Sequence, residues 1–266
     1  MGRFQDEQEM LDHYDSSKYR TPDGYTSDIL LFTIVDKEAA QTKKETKATK
    51  ELRLMLIKRA DKDAENEPNV EGGKWAVPGG FVMPNESSYE AALRELQEET
   101  GVENVHVKHF GTYDEPGRDK RGWIISNAFY AIIPEFFLEN RKAADDAVKV
   151  ELFTMEEIDH LDIAFDHREI IEDAKKQITK DMLQTDIAKR FLAKEFTISE
   201  LQSVILAVYY HKSIDSDNFY KKVDKLGFIE VARDRDKNMK TTTRNSKRPS
   251  RLYQFIEKAP LPSIYF

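Results

Sequence analysis

The apolar positions of this chain fall first into short strand-like runs and then into helical stripes. Asp28 to Val35 is a run of Ile, Leu and Phe, and Glu51 to Lys58 alternates polar and apolar, as a half-buried strand does. Trp75 to Val82 is an apolar strand broken by Pro78-Gly79-Gly80. Ala91, Ala92, Leu93 and Leu96 form one stripe of a helix over Tyr89 to Thr100, with Ser88 as its candidate N-cap and Gly101 as its stop. Strands are then expected over Val105 to Tyr113, Trp123 to Ile133 and Val148 to Phe153. A short helix is expected over Met155 to Leu161 and a long one over Ile170 to Leu192. Paired strands followed by alternating strands and helices predict an α/β/α sandwich. Polar, charged stretches at Lys37 to Lys50 and Ala60 to Gly73 read as connections between strands.

The pattern changes near Phe196. Thr197 or Ser199 can cap a helix, with Glu200 three residues after Thr197 as in a capping box, and Leu201, Val204, Ile205 and Val208 recur at helical spacing. Ser216 or Asp217 opens a second helix carrying Phe219, Val223 and Leu226, and Gly227 closes it. Phe228 to Val231 and Leu252 to Phe255 are strands flanking a polar, basic loop. Helix, helix, strand, loop, strand is the plan of a winged helix. The expected division is therefore 1–168, a connecting helix at 169–195, a second domain at 196–258 and a tail at 259–266.

Charge sharpens the division. The net charge is −8, yet residues 197–266 hold 13 Lys/Arg against 8 Asp/Glu. An acidic front and a basic back suggest two bodies with different partners. Between Arg233 and Arg251 stand eight basic residues and two acids. A basic loop joining two strands is where a wing meets DNA phosphates, and Lys221, Lys222 and Lys225 lie on the helix expected to enter the major groove. Arg244, Lys247, Arg248 and Arg251 are the wing's candidates. Without cysteine there is no disulfide or thiolate metal site. No charge-free run approaches a membrane span and no apolar leader is visible, so a soluble, cytoplasmic protein is expected.

Candidate chemistry concentrates in Gly80 to Val102, GFVMPNESSYEAALRELQEETGV. If this segment is helical after Ser88, Glu95 lies three residues from Glu98 and four from Glu99, on one face. Three crowded carboxylates repel one another, and a hard cation bound through oxygen relieves that repulsion. Gly80, Glu86, Arg94, Glu95, Leu96, Glu98, Glu99, Gly101 and Val102 together match all nine fixed positions of the Nudix box, so the segment resembles the signature of the MutT-like Nudix hydrolases. The resemblance implies a sandwich with a mixed sheet, and cleavage of a nucleoside diphosphate linked to a further group. It also implies Mg2+ or Mn2+ held by Glu95, Glu98, Glu99 and the Gly79 carbonyl, with Arg94 orienting the carboxylates and Glu86 in an outer role.

The run DEPGRDKRGWIISNAFYAIIP, with IAFDHREII further on, resembles the Nudix branch that handles ADP-ribose and related sugars. On that resemblance Arg118 and Arg121 are candidate phosphate or ribose contacts, beside the alternative of an ordinary charged turn. Core packing is the expectation for Tyr113 and Trp123, with base stacking as the alternative. His167 is expected to be structural at a helix start, and His106 and His109 are assigned no role. The general base stays open between the box helix and a later loop, where Asp114, Glu115 and Asp119 are candidates. FTISELQSVILAV, DNFYKKVDKLGFIE and RPSRLYQF resemble the winged helix of the Nudix-related transcriptional regulators of NAD metabolism. That resemblance implies ADP-ribose sensing, double-stranded DNA as a partner and a homodimer on paired half-sites. Many such regulators have a decayed box, whereas this one is intact. A hydrolase, a ligand-sensing regulator and a protein combining both all remain open at this point.

Overall fold

The computed structural model describes residues 6–18, 20–37, 49–62, 66–103, 105, 107–133, 149–215, 218–223, 227–245 and 247–256. After a short helix α1 (Glu7–Asp12) the chain enters β1 (Gly24–Asp36), which is 13 residues long and buried along most of its length. Such a strand needs cover on both faces, which is why it reads as an almost unbroken apolar run. One half of β1 pairs antiparallel with β2 (Lys50–Lys58), from Leu31↔Met55 to Asp36↔Lys50. The other half pairs with β4 (Gly79–Phe81), which follows the two-residue β3 (Trp75–Ala76). The expected Trp75 to Val82 strand is thus two pieces, bent at Val77-Pro78.

The sheet is completed by β5 (Val107–Tyr113), β6 (Ile124–Ile132) and β7 (Lys149–Thr154). Its order is β3-β2-β1-β6-β5, with β4 on β1 and β7 on β2. The β1–β6 pairing is parallel and the others antiparallel, so the sheet is mixed.

Alternate residues of β1 serve opposite layers. Ile29 and Leu31 join Ala92 and Leu96 of α2 (Ser88–Thr100) on one face. Leu30, Phe32 and Ile34 join Ile170, Ala174, Ile178 and Met182 of α4 (His167–Gln184) on the other, which follows the short α3 (Met155–Ile158). The segment expected as a connector therefore forms one layer of the sandwich. It also ends earlier than its charge periodicity suggests. Thr185 adopts an extended backbone, and its hydroxyl donates to the Asp181 carbonyl at 2.7 Å, closing the helix before a 3-10 turn at Ile187–Arg190.

The C-terminal body is a winged helix. Thr197 and Glu200 form the expected capping box on α5 (Ile198–Val208), followed by α6 (Asn218–Val223). Ser216, Asp217 and Leu226 lie outside the described residues. β8 (Ile229–Val231) pairs with β11 (Tyr253–Phe255), Phe196 bridges Tyr253, and β9 (Thr241–Thr242) pairs with β10 (Ser250–Arg251). Leu201, Val204 and Ile205 of α5 belong to the same buried cluster as Leu52, Leu54 and Leu56 of β2 and Met182 of α4. The two bodies share one apolar core. The expected 259–266 tail lies outside the described residues.

A shared core predicts shared unfolding. Val204→Ala should cost about 1–3 kcal/mol through a cavity beneath both bodies. Calorimetry is expected to show one transition moving down as a unit; two separate transitions, with only one shifted, would contradict it.

Candidate functional site

The Nudix-box helix is fixed at both ends. Ser87 is its N-cap, with Glu90 as the reciprocal partner, while Gly101 ends it at φ 70°. Ser88, the expected cap, lies one residue inside, because only Ser87 has a glutamate three positions on. The Ser27 hydroxyl of β1 donates to the Ser88 carbonyl at 2.8 Å, tying the helix start to the sheet.

Arg94 gathers the acids. Its guanidinium donates to both oxygens of Glu86 (3.1 and 2.7 Å), to Glu95 (2.6 Å), to Glu98 (3.0 Å) and to the Phe81 carbonyl (3.1 Å). Glu99 turns the other way and accepts the Gly79 amide at 2.9 Å. The three glutamates are thus held by two different partners. Among the described residues no group of three or more His, Cys, Asp or Glu is gathered as a metal cage. Arg94 draws Glu95 and Glu98 to one side, and Gly79 draws Glu99 to the other.

The donor set nevertheless suits a hard divalent cation. Burial, reinforced by Glu95 and Asp28, pushes the Glu99 carboxyl up to about 8. Burial also raises Glu95. Such acids are stabilised in their charged form by a nearby cation. Gly80 lies so close to Glu95 that a Cβ there would stand 2.2 Å from its carboxylate oxygen. Pro78 O accepts from Ile29 N, and the antiparallel alternation then turns the Gly79 peptide groups away from β1, to the side where Glu99 lies.

Beside these acids opens a cleft lined by Asp28, Arg59, Arg118, Arg121, Phe165 and His167, among others. Neither expected arginine is an unpaired cation. Arg118 is almost fully buried and makes a two-pronged pair with Asp166 at 2.6 and 2.7 Å. Arg121 is paired with Asp119 and lies 5.2 Å from the Phe81 ring and 5.0 Å from the Phe165 ring. Asp119, a base candidate, is thereby occupied, whereas Asp114 and Glu115 are exposed.

Sequence reasoning missed Arg59 and Phe165. Arg59 donates to the Val70 carbonyl and the Asn69 amide oxygen, both at 3.1 Å, and lies 5.0 Å from Phe165. Burial, then Arg121, lowers its pKa. Its one signal was a position directly after β2, and Phe165 stood inside the quoted IAFDH run.

His167 is structural as expected. It is buried at the start of α4, and its Nδ1 accepts the Val77 amide at 3.1 Å. Tyr113 packs edge-on against Phe110 and donates to Asp173. Trp123 departs from the core expectation and is 43% exposed, since its strand starts at the sheet margin. His109 is exposed and His106 lies outside the described residues.

On the winged helix, Lys221, Lys222, Lys247, Arg248 and Arg251 are exposed, and Lys225 lies outside the described residues. Arg244 is already engaged within the domain. It forms a two-pronged pair with Glu200 and donates to the Glu195 carbonyl at 3.0 Å, so it holds the wing against the start of α5. Lys240 adds a bond to Glu195 at 2.6 Å. No helix among the described residues is long and apolar enough to cross a membrane.

A mixed-sheet sandwich bearing an intact box, joined to a winged helix, defines a two-domain Nudix protein. The NUDIX domain model matches residues 13–174, more than half of the chain, and the chain belongs to the Nudix family. The model of the NrtR DNA-binding winged helix domain matches residues 188–255. The ADPR responsive transcriptional repressor NtrR of Acinetobacter baylyi is 26% identical over 254 residues, covering 95% of this chain and 89% of that protein. The ADP-ribose pyrophosphatase of Methanocaldococcus jannaschii is 40% identical over 124 residues, 47% of this chain and 66% of that protein. Among solved structures, a mutT/nudix family protein from Listeria innocua is 51% identical, covers 62% of this chain and 99% of its own, and superimposes with a TM-score of 0.53.

The wing clamp carries a pH signature. Burial alone would raise the Glu200 carboxyl, but bonds from Arg244, the Thr197 amide and Asn245 outweigh it and hold the group down to about 2. The stabilisation is therefore full above the ordinary glutamate range and is lost as pH falls toward 2. Thermal melts from pH 6 to pH 2.5 should show Glu200→Gln less stable than the parent by about 1–2 kcal/mol near neutrality, after allowance for solvent screening. The gap should close in acid; a constant gap would refute the assignment.

Proposed function

We propose that this protein is an ADP-ribose-responsive DNA-binding regulator whose Nudix domain also cleaves its ligand with the help of a divalent cation. The single observation that carries the reading is the shared core. α5 of the winged helix packs on the same sheet face as α4, whose first residue, His167, lines the Nudix cleft. A change of packing in the cleft wall thus bears directly on the DNA-binding body. The names of the Acinetobacter and Methanocaldococcus relatives support ADP-ribose as the ligand, and the NrtR winged-helix match supports DNA as the partner.

Hydrolysis is the further step, and the intact box supports it. Water adds to one phosphorus of the diphosphate and the bond from that phosphorus to the bridging oxygen breaks, giving AMP and ribose 5-phosphate from ADP-ribose. Glu95, Glu98, Glu99 and the Gly79 carbonyl would hold Mg2+ or Mn2+. The cation neutralises phosphate charge and makes water a better nucleophile at neutral pH. Arg94 keeps Glu95 and Glu98 oriented through its bonds, and Glu86 anchors Arg94 from behind. Arg59, Arg118 and Arg121 supply positive charge along the cleft, with Phe165 as aromatic support for Arg59 and Arg121. On the winged helix, Lys221, Lys222, Lys225, Lys247, Arg248 and Arg251 would meet DNA, with α6 as the groove-facing helix. A homodimer on paired half-sites fits a winged-helix regulator.

With Mg2+, purified protein is expected to convert ADP-ribose to AMP and ribose 5-phosphate, and Glu98→Gln with Glu99→Gln should lower kcat at least a hundredfold. Chromatography of the products checks this, and an inactive parent leaves only the regulator. Duplex DNA selected by the full-length protein should bind with a steep salt dependence. Arg248→Ala with Arg251→Ala should shallow the slope by about two. An unchanged slope would remove the wing from the interface.

A further inference from the structure

Asp166 stands at the N-cap position of α4, yet its side chain makes no capping bond. Aspartate at that position ordinarily accepts an amide of the first turn, a contact that stabilises a helix. Here both carboxylate oxygens are taken by Arg118, at 2.6 and 2.7 Å. The remaining nitrogen of that guanidinium makes a long contact, 3.4 Å, to the Ile124 carbonyl. Arg118 lines the cleft with Arg59 and Arg121. One carboxylate thus stands between a cleft arginine and a helix start whose His167 and Glu169 amides are held by the Ala164 and Asp166 carbonyls, with no side-chain cap.

That helix reaches both functional regions. Its first residue, His167, accepts the amide of Val77, two residues before Gly79. Its buried residues Ile178 and Met182 lie in one cluster with Leu201, Val204 and Ile205 of α5. Near its far end Asp181 is held by Lys108 at 2.6 Å and by Tyr130, which fixes that end to the sheet. A change at the first turn is therefore applied to a packed rod rather than a loose loop.

We propose that Asp166 is the positioning residue that couples the cleft to the winged helix: it holds Arg118 ready for a diphosphate, and when the ligand takes over part of that guanidinium the released carboxylate oxygen caps α4. A diphosphate carries more charge than one carboxylate and presents oxygens on two phosphorus atoms, so it competes for a planar, multi-donor guanidinium. The oxygen it displaces turns to the Arg168 amide in exchange, since the His167 and Glu169 amides already bond the Ala164 and Asp166 carbonyls. The ligand thereby has a different interaction energy with the two states of α4, which any ligand-driven change requires. This rests on the reading of the cleft as a diphosphate site.

The test uses the full chain with Mg2+ and α,β-methylene ADP-ribose, which cannot be hydrolysed at its bridge. Calorimetry reports binding, and hydrogen exchange followed by mass spectrometry reports the helices. In the parent, ligand is expected to slow exchange in the first turn of α4 roughly fivefold, the size of a typical cap, and to alter exchange in α5. Asp166→Ala should bind ligand without either change. Asp166→Asn, which caps well but pairs poorly with arginine, should show the slow first turn before ligand is added and no further response. A parent that binds ligand while α4 and α5 stay unchanged overturns the coupling and leaves the diphosphate site standing. So does an Asp166→Ala protein that responds as the parent does. A parent that fails to bind the analogue ends both.

Discussion

The structure depends on the need to cover β1 on both faces. Ile29 and Leu31 look one way and Leu30, Phe32 and Ile34 the other, and all are almost inaccessible. The box helix covers the first face. The second is too broad for α4 alone, and α5 of the winged helix completes it. A DNA-binding body that fills part of another domain's core cannot behave as an appendage on a linker. Its orientation is set by the same packing that holds the sheet, which interior close packing makes sensitive to small displacements.

The same strand also organises the chemistry. Its polar half, Thr26 to Asp28, lies against Gly79 to Phe81, and Asp28 forms part of the wall beside Glu99. Asp28 accepts the Ser126 hydroxyl at 2.6 Å. Acids are thus concentrated where the sheet, the Gly-Gly turn and the box helix meet. Arg94 offsets only some of that charge, because it is shared among Glu86, Glu95 and Glu98 while Glu99 is held by the Gly79 amide. Arg59, Arg118 and Arg121 line the same cleft, the last two committed to Asp166 and Asp119.

Local patterns were legible in the sequence, and long-range pairs were not. The box spacing located the acids, and the Ala91, Ala92 and Leu96 stripe located the face that buries. Thr197 with Glu200 located the start of α5. Each of these signals lies within a few residues. Glu90, three residues on, marks Ser87 rather than Ser88 as the cap, again a local signal. The pairing of Arg244 with Glu200 spans 44 residues and that of Arg118 with Asp166 spans 48, so composition showed basic residues without showing what neutralises them. The end of α4 was hidden for another reason. Alternating charge continues past Gln184, and the stop comes from the Thr185 hydroxyl bonding back to Asp181.

An intact box joined to a winged helix has a thermodynamic consequence on the proposed reading. A sensor's response is limited by the difference in ligand affinity between its two states, however tight the binding. Hydrolysis adds a second control, because the occupied state then lasts only as long as the bound ligand or its replacement. The two functions make opposite demands on the cleft. Sensing favours a long-lived complex, whereas turnover favours tight contacts to the transition state and weaker ones to the ground state. A site in which Arg118 starts out paired with Asp166 meets both demands in part. On that reading part of the ligand's attraction goes into exchanging that pair, which weakens ground-state binding and at the same time alters the capping of the helix that packs beside α5.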